Sequence, residues 1–324
     1  MISIIIPTYN RKDKLKDLLP SLRKQKSSIA FEVIVVDDGS IDGTRELLKS
    51  QAKAWNGAFR FIEQNRAGPG AARNLGIVHA RGDILVFIDS DCIAPRGWLN
   101  NLTSVFDNPQ VGAAGGPELA PADDCLFWKC QTYVMTALLT TGGLRGRKGR
   151  KLGVYYPRGF NVAVRKHVAD AVGGFTNRFH GEDILFGLKV KQMGYILKYV
   201  PDAAMYHRRR ATLSEYFGQL YRMGKTRVEM VYLHKSLFEP VYAAPAFTIL
   251  YFIILSFGAL FSETLFKIAS GSMLIALLFL ATIGIHSAIR LKTIKAFAIV
   301  PFLFMIQQTA YALGTIVAAL RRQA

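Results

Sequence analysis

"DILVFIDSDC", residues 83–92, is an apolar run that stops in acid. Ile84 to Ile88 carry no charge, and Asp89, Ser90 and Asp91 follow at once. The run reads as a strand buried on both faces. Two carboxylates at its end are costly unless something positive meets them. Upstream, "SIIIP" (3–7), "FEVIVVDDGS" (31–40) and "FRFIEQ" (59–64) read as three more strands. Between the first two, Asn10 can cap a helix that puts Leu15, Leu18, Leu19 and Leu22 on one face. Asp42 or Thr44 can open the next helix, with Leu47 and Leu48 inward. "GPGAARNLGIVHA" (68–80) reads as a Gly/Pro turn entering an Ala-rich helix. Strands that alternate with helices, and are apolar throughout, predict an α/β fold with a mostly parallel sheet covered on both faces. Ligands bind such sheets beyond the carboxyl ends of the strands. Asp37, Asp38, Asp89 and Asp91 all fall there.

The rest of the 324-residue chain is different in kind. From Val241 onward the only charged residues are Glu263, Lys267, Arg290, Lys292, Lys295, Arg321 and Arg322. Val241–Phe261, Ile268–Ser287 and Ala296–Leu320 are uncharged runs of about 20 residues or more, which predicts three transmembrane helices. "RLKTIK" between the last two is basic and suits a cytoplasmic loop. "MISIIIPTYN" has neither the basic leader nor the apolar length of a signal peptide. Residues 1–240 are therefore expected to face the cytoplasm, at an inner (cytoplasmic) membrane crossed several times. Three cysteines without regular spacing argue for reduced thiols rather than a disulfide frame or a zinc site.

The net charge is +18; residues 1–240 hold 35 basic and 22 acidic residues, a net +13. Such a surface draws phosphates or anionic lipid. No zinc-finger or RNA-binding aromatic motif accompanies the charge, so no nucleic-acid partner is expected. "GGLRGRKGRK" (142–151) reads either as a solvated loop or as a contact for lipid headgroups or an acceptor phosphate. Residues 212–235 form an amphipathic pattern, with Leu213, Tyr216, Phe217, Leu220, Met223 and Val231 on the apolar side. That helix suits either the membrane interface or ordinary packing on the domain.

An Asp-x-Asp after a strand has three chemical readings. It can bind a hard divalent cation such as Mg²⁺ or Mn²⁺, which keeps positions open for substrate phosphates. It can be a turn. It can also supply the nucleophile of a haloacid-dehalogenase-type phosphatase, but those usually continue in Gly-Thr near the chain start. Here Cys92-Ile93-Ala94 follows, and other strands precede.

Five stretches in one order separate these readings: "SIIIPTYNR" (3–11), "VIVVDDGSIDGT" (33–44), "NRAGPGAARNLGI" (65–77), "VFIDSDC" (86–92) and "GGFTNRFHGEDILFGLKVKQMGY" (173–195). Together they resemble the family 2 glycosyltransferases, of the Rossmann-like GT-A fold, over roughly residues 1–225. The C-terminal runs resemble those of membrane-attached bacterial members. The resemblance implies a catalytic domain over 1–225, an interfacial linker or helix over 226–240 and a membrane domain over 241–324. It implies that Pro7, Thr8 and Asn10 line a nucleotide pocket. Asp38 would meet the base, and Asp37 would lie nearer the ribose or be structural. Gly68 and Gly70 would let backbone approach the donor, and Arg73 would face nucleotide or phosphate. Asp89 would sit near ribose or donor sugar, with a share in the metal, and Asp91 would be the main ligand of a divalent metal ion, Mg²⁺ or Mn²⁺. Glu182-Asp183 matches the family's ED motif, with Asp183 the catalytic base. Some relatives place a His near His207 on the metal or diphosphate, where neutral imidazole is a suitable ligand; a surface His is the alternative. "QLYRMGK" (219–225) is faintly similar to the QxxRW segment of processive synthases, but Met223 replaces the Trp.

The expected function is an inverting, metal-dependent hexosyltransferase. It moves a sugar from a nucleotide-sugar donor, with UDP-sugar first, to a membrane-associated acceptor in polysaccharide or glycolipid synthesis. Its partners are the donor, a lipid-linked or glycan acceptor, and membrane lipid. A non-catalytic membrane module that binds nucleotide sugars is the alternative, and it would have no need of Asp183.

Overall fold

The computed structural model describes residues 1–55, 57–121, 124–141, 155–176, 181–208 and 212–321. The basic stretch 142–151 therefore lies outside the described residues, as do Arg209 and Arg210. The chain divides into two compact units, one of residues 1–122 and 144–208, the other of residues 123–143 and 209–324.

In the first unit β1 (Ile2–Thr8), α1 (Lys12–Arg23), β2 (Phe31–Asp37), α2 (Thr44–Ala54), β3 (Phe59–Glu63), α3 (Pro69–His79) and β4 (Ile84–Phe87) alternate in chain order. After them come β5 (Cys92–Ile93), α4 (Trp98–Thr103), β6 (Val111–Gly115) and β7 (Glu118–Leu119). The seven-stranded sheet runs β3-β2-β1-β4-β8-β6-β9, where β8 is Val162–Arg165 and β9 is Ile196–Tyr199. Strands β1 to β4 are mutually parallel, and so are β6 and β9; only β8 runs antiparallel to its neighbours. The reason these sequences form a central sheet is visible in β1 and β2. Ile4, Ile6, Val33 and Val35 enter one core layer, while Ile5, Ile34 and Val36 enter the other. Successive side chains point to opposite faces, and helices cover both, so no polar alternation is needed.

The register brings the strand ends level: Thr8 lies opposite Asp37, and Asp37 opposite Glu63. Short connections follow. α7 (Lys166–Ala171) leaves β8, and α8 (Glu182–Gln192) starts after Gly181, whose φ is +79°. β10 (Met205–His207) pairs with β5 and β7 in a separate three-stranded sheet, order β5-β10-β7. That small sheet carries half of the site.

The second unit holds α5 (Leu126–Thr136), α6 (Leu138–Thr141), α9 (Leu213–Leu233), α10 (Ala244–Gly258), α11 (Glu263–Leu291) and α12 (Ala296–Leu320). A capping box opens α9: Glu215 N–H donates to Thr212 Oγ1 at 3.2 Å, and Thr212 N–H to Glu215 Oε2 at 3.3 Å. This helix was expected to close the catalytic domain near residue 225. The contacts divide the chain earlier, because α9 is packed against α12. A Cβ on Gly224 would lie 2.1 Å from the Tyr311 carbonyl oxygen, and one on Gly314 would lie 2.0 Å from that of Tyr221. Backbones that close leave room only for glycine. Tyr216, Leu220 and Met230 are buried, whereas Leu213 and Phe217 of the expected apolar face are exposed.

Three spans were expected, and among the described residues two helices are long and apolar enough to cross a bilayer, α11 with 29 residues and α12 with 25. The run Val241–Phe261 forms a helix of only 15 residues, α10. A turn at Pro240–Tyr242 delays its start and Gly258 ends it, so it is about 22 Å long. A hydrocarbon core is about 30 Å thick.

Candidate active site

The loops beyond β1 and β2 organise each other. Asp38 is buried, and its carboxylate takes three donors: Gln64 Nε2 at 2.6 Å, Ala67 N–H at 2.7 Å and Gly68 N–H at 2.9 Å. Its oxygens hold the entry to α3. Asp37 accepts from Ser40 N–H at 3.1 Å and Ser40 Oγ at 2.5 Å, which is a turn-forming role. Asn10 does not cap α1. It has φ +51°, its Oδ1 accepts from Ile41 N–H and its N–H donates to Ser40 Oγ, both at 2.8 Å. The cap comes from Asp42, which accepts from Lys12 N–H at 3.0 Å. Pro7 and Thr8 end β1 and are buried, and Thr8 Oγ1 has no hydrogen-bond partner among the described residues.

Gly68 has φ +95°, a conformation that favours glycine. Gly70 serves packing: a Cβ there would lie 2.5 Å from the Thr176 carbonyl oxygen.

Arg73, on α3, reaches two motifs, one 16 and the other 109 residues along the chain from it. Its Nη1 donates to Glu182 and its Nη2 to Asp89, each at 2.8 Å, with 3% of the Arg73 side chain exposed. Arg73 thus ties the end of β4 to the start of α8. Asp183 is the third carboxyl near the same guanidinium. Three acids sharing one cation leave negative charge in excess, and the most buried of them gives way. Burial and the charge of Asp183 lift Glu182 to about 7, against the pull of Arg73. Asp183 itself is half-buried at the start of α8, with Oδ1 accepting from Ile184 N–H at 2.8 Å and Oδ2 from Gly159 N–H at 3.1 Å.

An acid with a raised folded-state pKa favours the fold while protonated. Between its ordinary value of 4.5 and about 7 the unfolded chain has lost the Glu182 proton and the folded chain keeps it. Stability from this group is thus present at low pH and lost as pH rises through 7. Glu182→Gln should abolish that loss. In detergent-solubilised full chain, wild type should lose melting temperature relative to the variant between pH 5 and pH 8; parallel pH profiles would refute the assignment.

The other half of the site is built on the three-stranded sheet. Asp91 precedes β5, His207 ends β10 and Glu118 begins β7. His207 Nε2 lies 3.1 Å from Asp91 Oδ1, and His207 Nδ1 lies 2.5 Å from Glu118 Oε1. The Phe160 ring stacks on the imidazole at 5.1 Å and 10°. Burial opposes the charged imidazole, but Asp91 and Glu118 outweigh it and lift His207 to about 10. Among the described residues, Asp91, Cys92 and His207 form a group whose ligand atoms lie within 4.8 Å of one another. Asp89, expected to share the metal, is not in it; Arg73 holds it instead.

The donor set fits a divalent ion. Adjacent ligands of an octahedral ion with bonds of about 2.1 Å are about 3 Å apart, and the Asp91–His207 pair already has that separation. A carboxylate behind the imidazole is the usual companion of a metal-bound His. Cys92 is the exception: its thiol is buried, burial and the acids around it raise its pKa well above the ordinary value, and it donates to the Phe160 carbonyl at 3.7 Å.

Two participants escaped the sequence reading. Glu118 is an almost fully buried acid in "GGPELA", a signal visible in principle, since an acid in an apolar run must have a partner. Gly159-Phe160 has no comparable signal. Yet Gly159 bonds Asp183 while Phe160 packs on His207, so one dipeptide touches both halves.

Residues 3–173, more than half of the chain, match the family described as Glycosyl transferase family 2. The chain belongs to glycosyl transferase family 2. This family 2 chain is similar to Glycosyltransferase AglE of Haloferax volcanii, 28% identical over 75% of this chain and 78% of that one. It is also similar to Succinoglycan biosynthesis protein ExoA of Rhizobium meliloti, 25% identical over 72% of this chain and 71% of that one. Its fold is like that of mannosyltransferase PcManGT from Pyrobaculum calidifontis, solved with GDP-Man and Mn²⁺; the TM-score is 0.62 at 20% identity, over 97% of this chain and 86% of the other. The fold is therefore GT-A, and the protein is a glycosyltransferase.

Proposed function

We propose that this family 2 enzyme transfers a sugar from a nucleoside-diphosphate sugar to a membrane-held acceptor, by single displacement with inversion. The observation that carries this reading is the pairing of two constellations at the carboxyl edge of the sheet. One is Asp91 with His207, backed by Glu118 and Phe160. The other is Asp183, held by Gly159 beside the Arg73–Glu182 pair.

Asp91 and His207 would hold Mg²⁺ or Mn²⁺, and such an ion supplies neutralisation of the charge on a departing diphosphate. Asp183 takes the proton from the attacking acceptor hydroxyl. Its fixation by two backbone N–H groups limits its rotation, so its geometry is set before substrate arrives. Arg73 joins Asp89 to Glu182 and so keeps the strand-end acids aligned with α8. Asp38, Asn10 and Asp42 shape the nucleotide-side loops, and Asp38 would also meet the base. The family resemblance favours a UDP-sugar, while the mannosyltransferase neighbour binds GDP-Man; donors of both bases belong in the first screen.

Helices α11 and α12 supply the membrane attachment. They favour an acceptor that is itself in the membrane, a lipid-linked sugar or growing glycan, at a cytoplasmic membrane with the catalytic domain on the cytoplasmic side. Membranes containing the full chain, given radiolabelled UDP- and GDP-sugars, should incorporate label into lipid-extractable or polymeric product. EDTA should stop the incorporation and Mn²⁺ should restore it. Label appearing only in water-soluble product, or incorporation indifferent to EDTA, would contradict the proposal.

A further inference from the structure

Glu118 lies on a two-residue strand and belongs to none of the five stretches that mark the family resemblance. It is 1% exposed, and a carboxyl so placed is expensive unless strongly paired. Its Oε1 meets His207 Nδ1 at 2.5 Å. The opposite ring nitrogen, Nε2, is the one that faces Asp91. The backbone reinforces this arrangement. Met205 and Tyr206 pair with Glu118 and Leu119 in β7, while His207 pairs with Cys92 in β5. Arg208 N–H donates to the Asp91 carbonyl at 3.1 Å. Phe160 covers the face of the ring, so rotation of the imidazole out of this plane is blocked.

We propose that Glu118 is the positioning residue of the metal site: by accepting from His207 Nδ1–H it fixes the tautomer and the aim of the ring, so that Nε2 is presented beside Asp91 as a ligand. This rests on the reading of Asp91 and His207 as metal ligands given above. An imidazole has one donor and one acceptor nitrogen when neutral. With Nδ1–H committed to Glu118, the proton that a metal ion would displace is the one on Nε2, and the lone pair it would meet lies on the Asp91 side. Without the carboxylate the two tautomers compete, and the ring turns within its slot. Outer partners of this kind typically account for 10- to 100-fold in metal affinity.

The test uses the detergent-solubilised full chain and Mn²⁺ alone, with affinity from the electron paramagnetic resonance signal of free ion. The variants are Glu118→Gln, which keeps shape and size, His207→Ala, Asp91→Asn, and the double variant of Glu118→Gln with His207→Ala. Glu118→Gln should weaken Mn²⁺ by about 10- to 100-fold and should lose the imidazole nitrogen coupling seen in the pulsed spectrum of the wild type. In the His207→Ala background the same change should cost less than about 3-fold, because its route through the ring is already gone. A residue that merely stabilises the fold would cost the same in both backgrounds. Should Glu118→Gln unfold, Phe160→Leu provides the second route, with a several-fold loss of affinity and a weakened nitrogen coupling. Wild-type affinity and coupling in Glu118→Gln, alongside weakened binding in His207→Ala, would overturn the role of Glu118 and leave the metal site standing. Unchanged binding in both His207→Ala and Asp91→Asn would overturn the site, and the role of Glu118 with it.

Discussion

Asp183→Asn is expected to lower the transfer rate by about 10²- to 10⁴-fold, the range that a positioned general base supplies. The loss should fall on kcat, with the donor KM and the Mn²⁺ affinity little changed. Asparagine keeps the shape but has a single acceptor oxygen, so it can serve either Ile184 N–H or Gly159 N–H. Losing one such bond costs about 1 kcal/mol in stability, too little to explain a rate loss of that size. The rival account makes Asp183 a helix N-terminal acid, and that is worth about 0.3–1 kcal/mol. An acid of that kind could be replaced with less than about 5-fold change in rate. Steady-state kinetics of the variant on the natural membrane acceptor separates the two accounts.

Arg73→Met should be the most damaging change to stability. The guanidinium sits between Asp89 and Glu182 with almost no exposure, and Asp183 is near it. Removing one partner of a buried ion pair costs about 3–5 kcal/mol. Here Asp89 is about a third exposed and hydrates, and Glu182 can hold its proton, so the lower end applies, about 3 kcal/mol. For a domain of this size that is about 6–12 °C in melting temperature. Transfer should fall as well, since the start of α8 loses its tie to the strand end. Lysine should rescue little, because one ammonium cannot reproduce a planar fork spanning two carboxyls. A variant melting within about 2 °C of wild type would mean that the bridge is not a structural tie.

How legible the protein was in its sequence depended on the range of the interactions. Strands β1 to β4 were readable because their apolar runs are continuous, and because turn residues such as Gly68 and the Asp38-Gly39 pair interrupt them. The acids at the strand ends were also readable, since a strand that stops in acid puts it at the sheet edge. What the acids bind was not. Asp38 and Asp37 hold loops, and Asn10 meets Ser40 and Ile41, because backbone N–H groups of a neighbouring loop claim these side chains. Periodicity contains no information about such partners. Arg73 shows the same limit, as its two carboxyls are 16 and 109 residues away. Glu118 and Phe160 were missed since β7 has only two residues and residues 155–161 form no regular element. The helix over 213–233 was readable from its apolar face, but its partner α12 was not. The Gly224 and Gly314 contacts that join the two are invisible until the helices are side by side. The first apolar run was long enough for a span, yet turn-forming residues at both ends shorten α10.

The most direct measurement is the anomalous scattering of Mn²⁺ in crystals of the full chain grown with UDP or GDP. A peak bonded to both an Asp91 carboxylate oxygen and His207 Nε2, with Glu118 behind the ring and Arg73 still on Asp89 and Glu182, is the predicted result. A peak ligated by Asp89 without His207, or a nucleotide diphosphate bound with no Mn²⁺ peak at Asp91, would contradict the account.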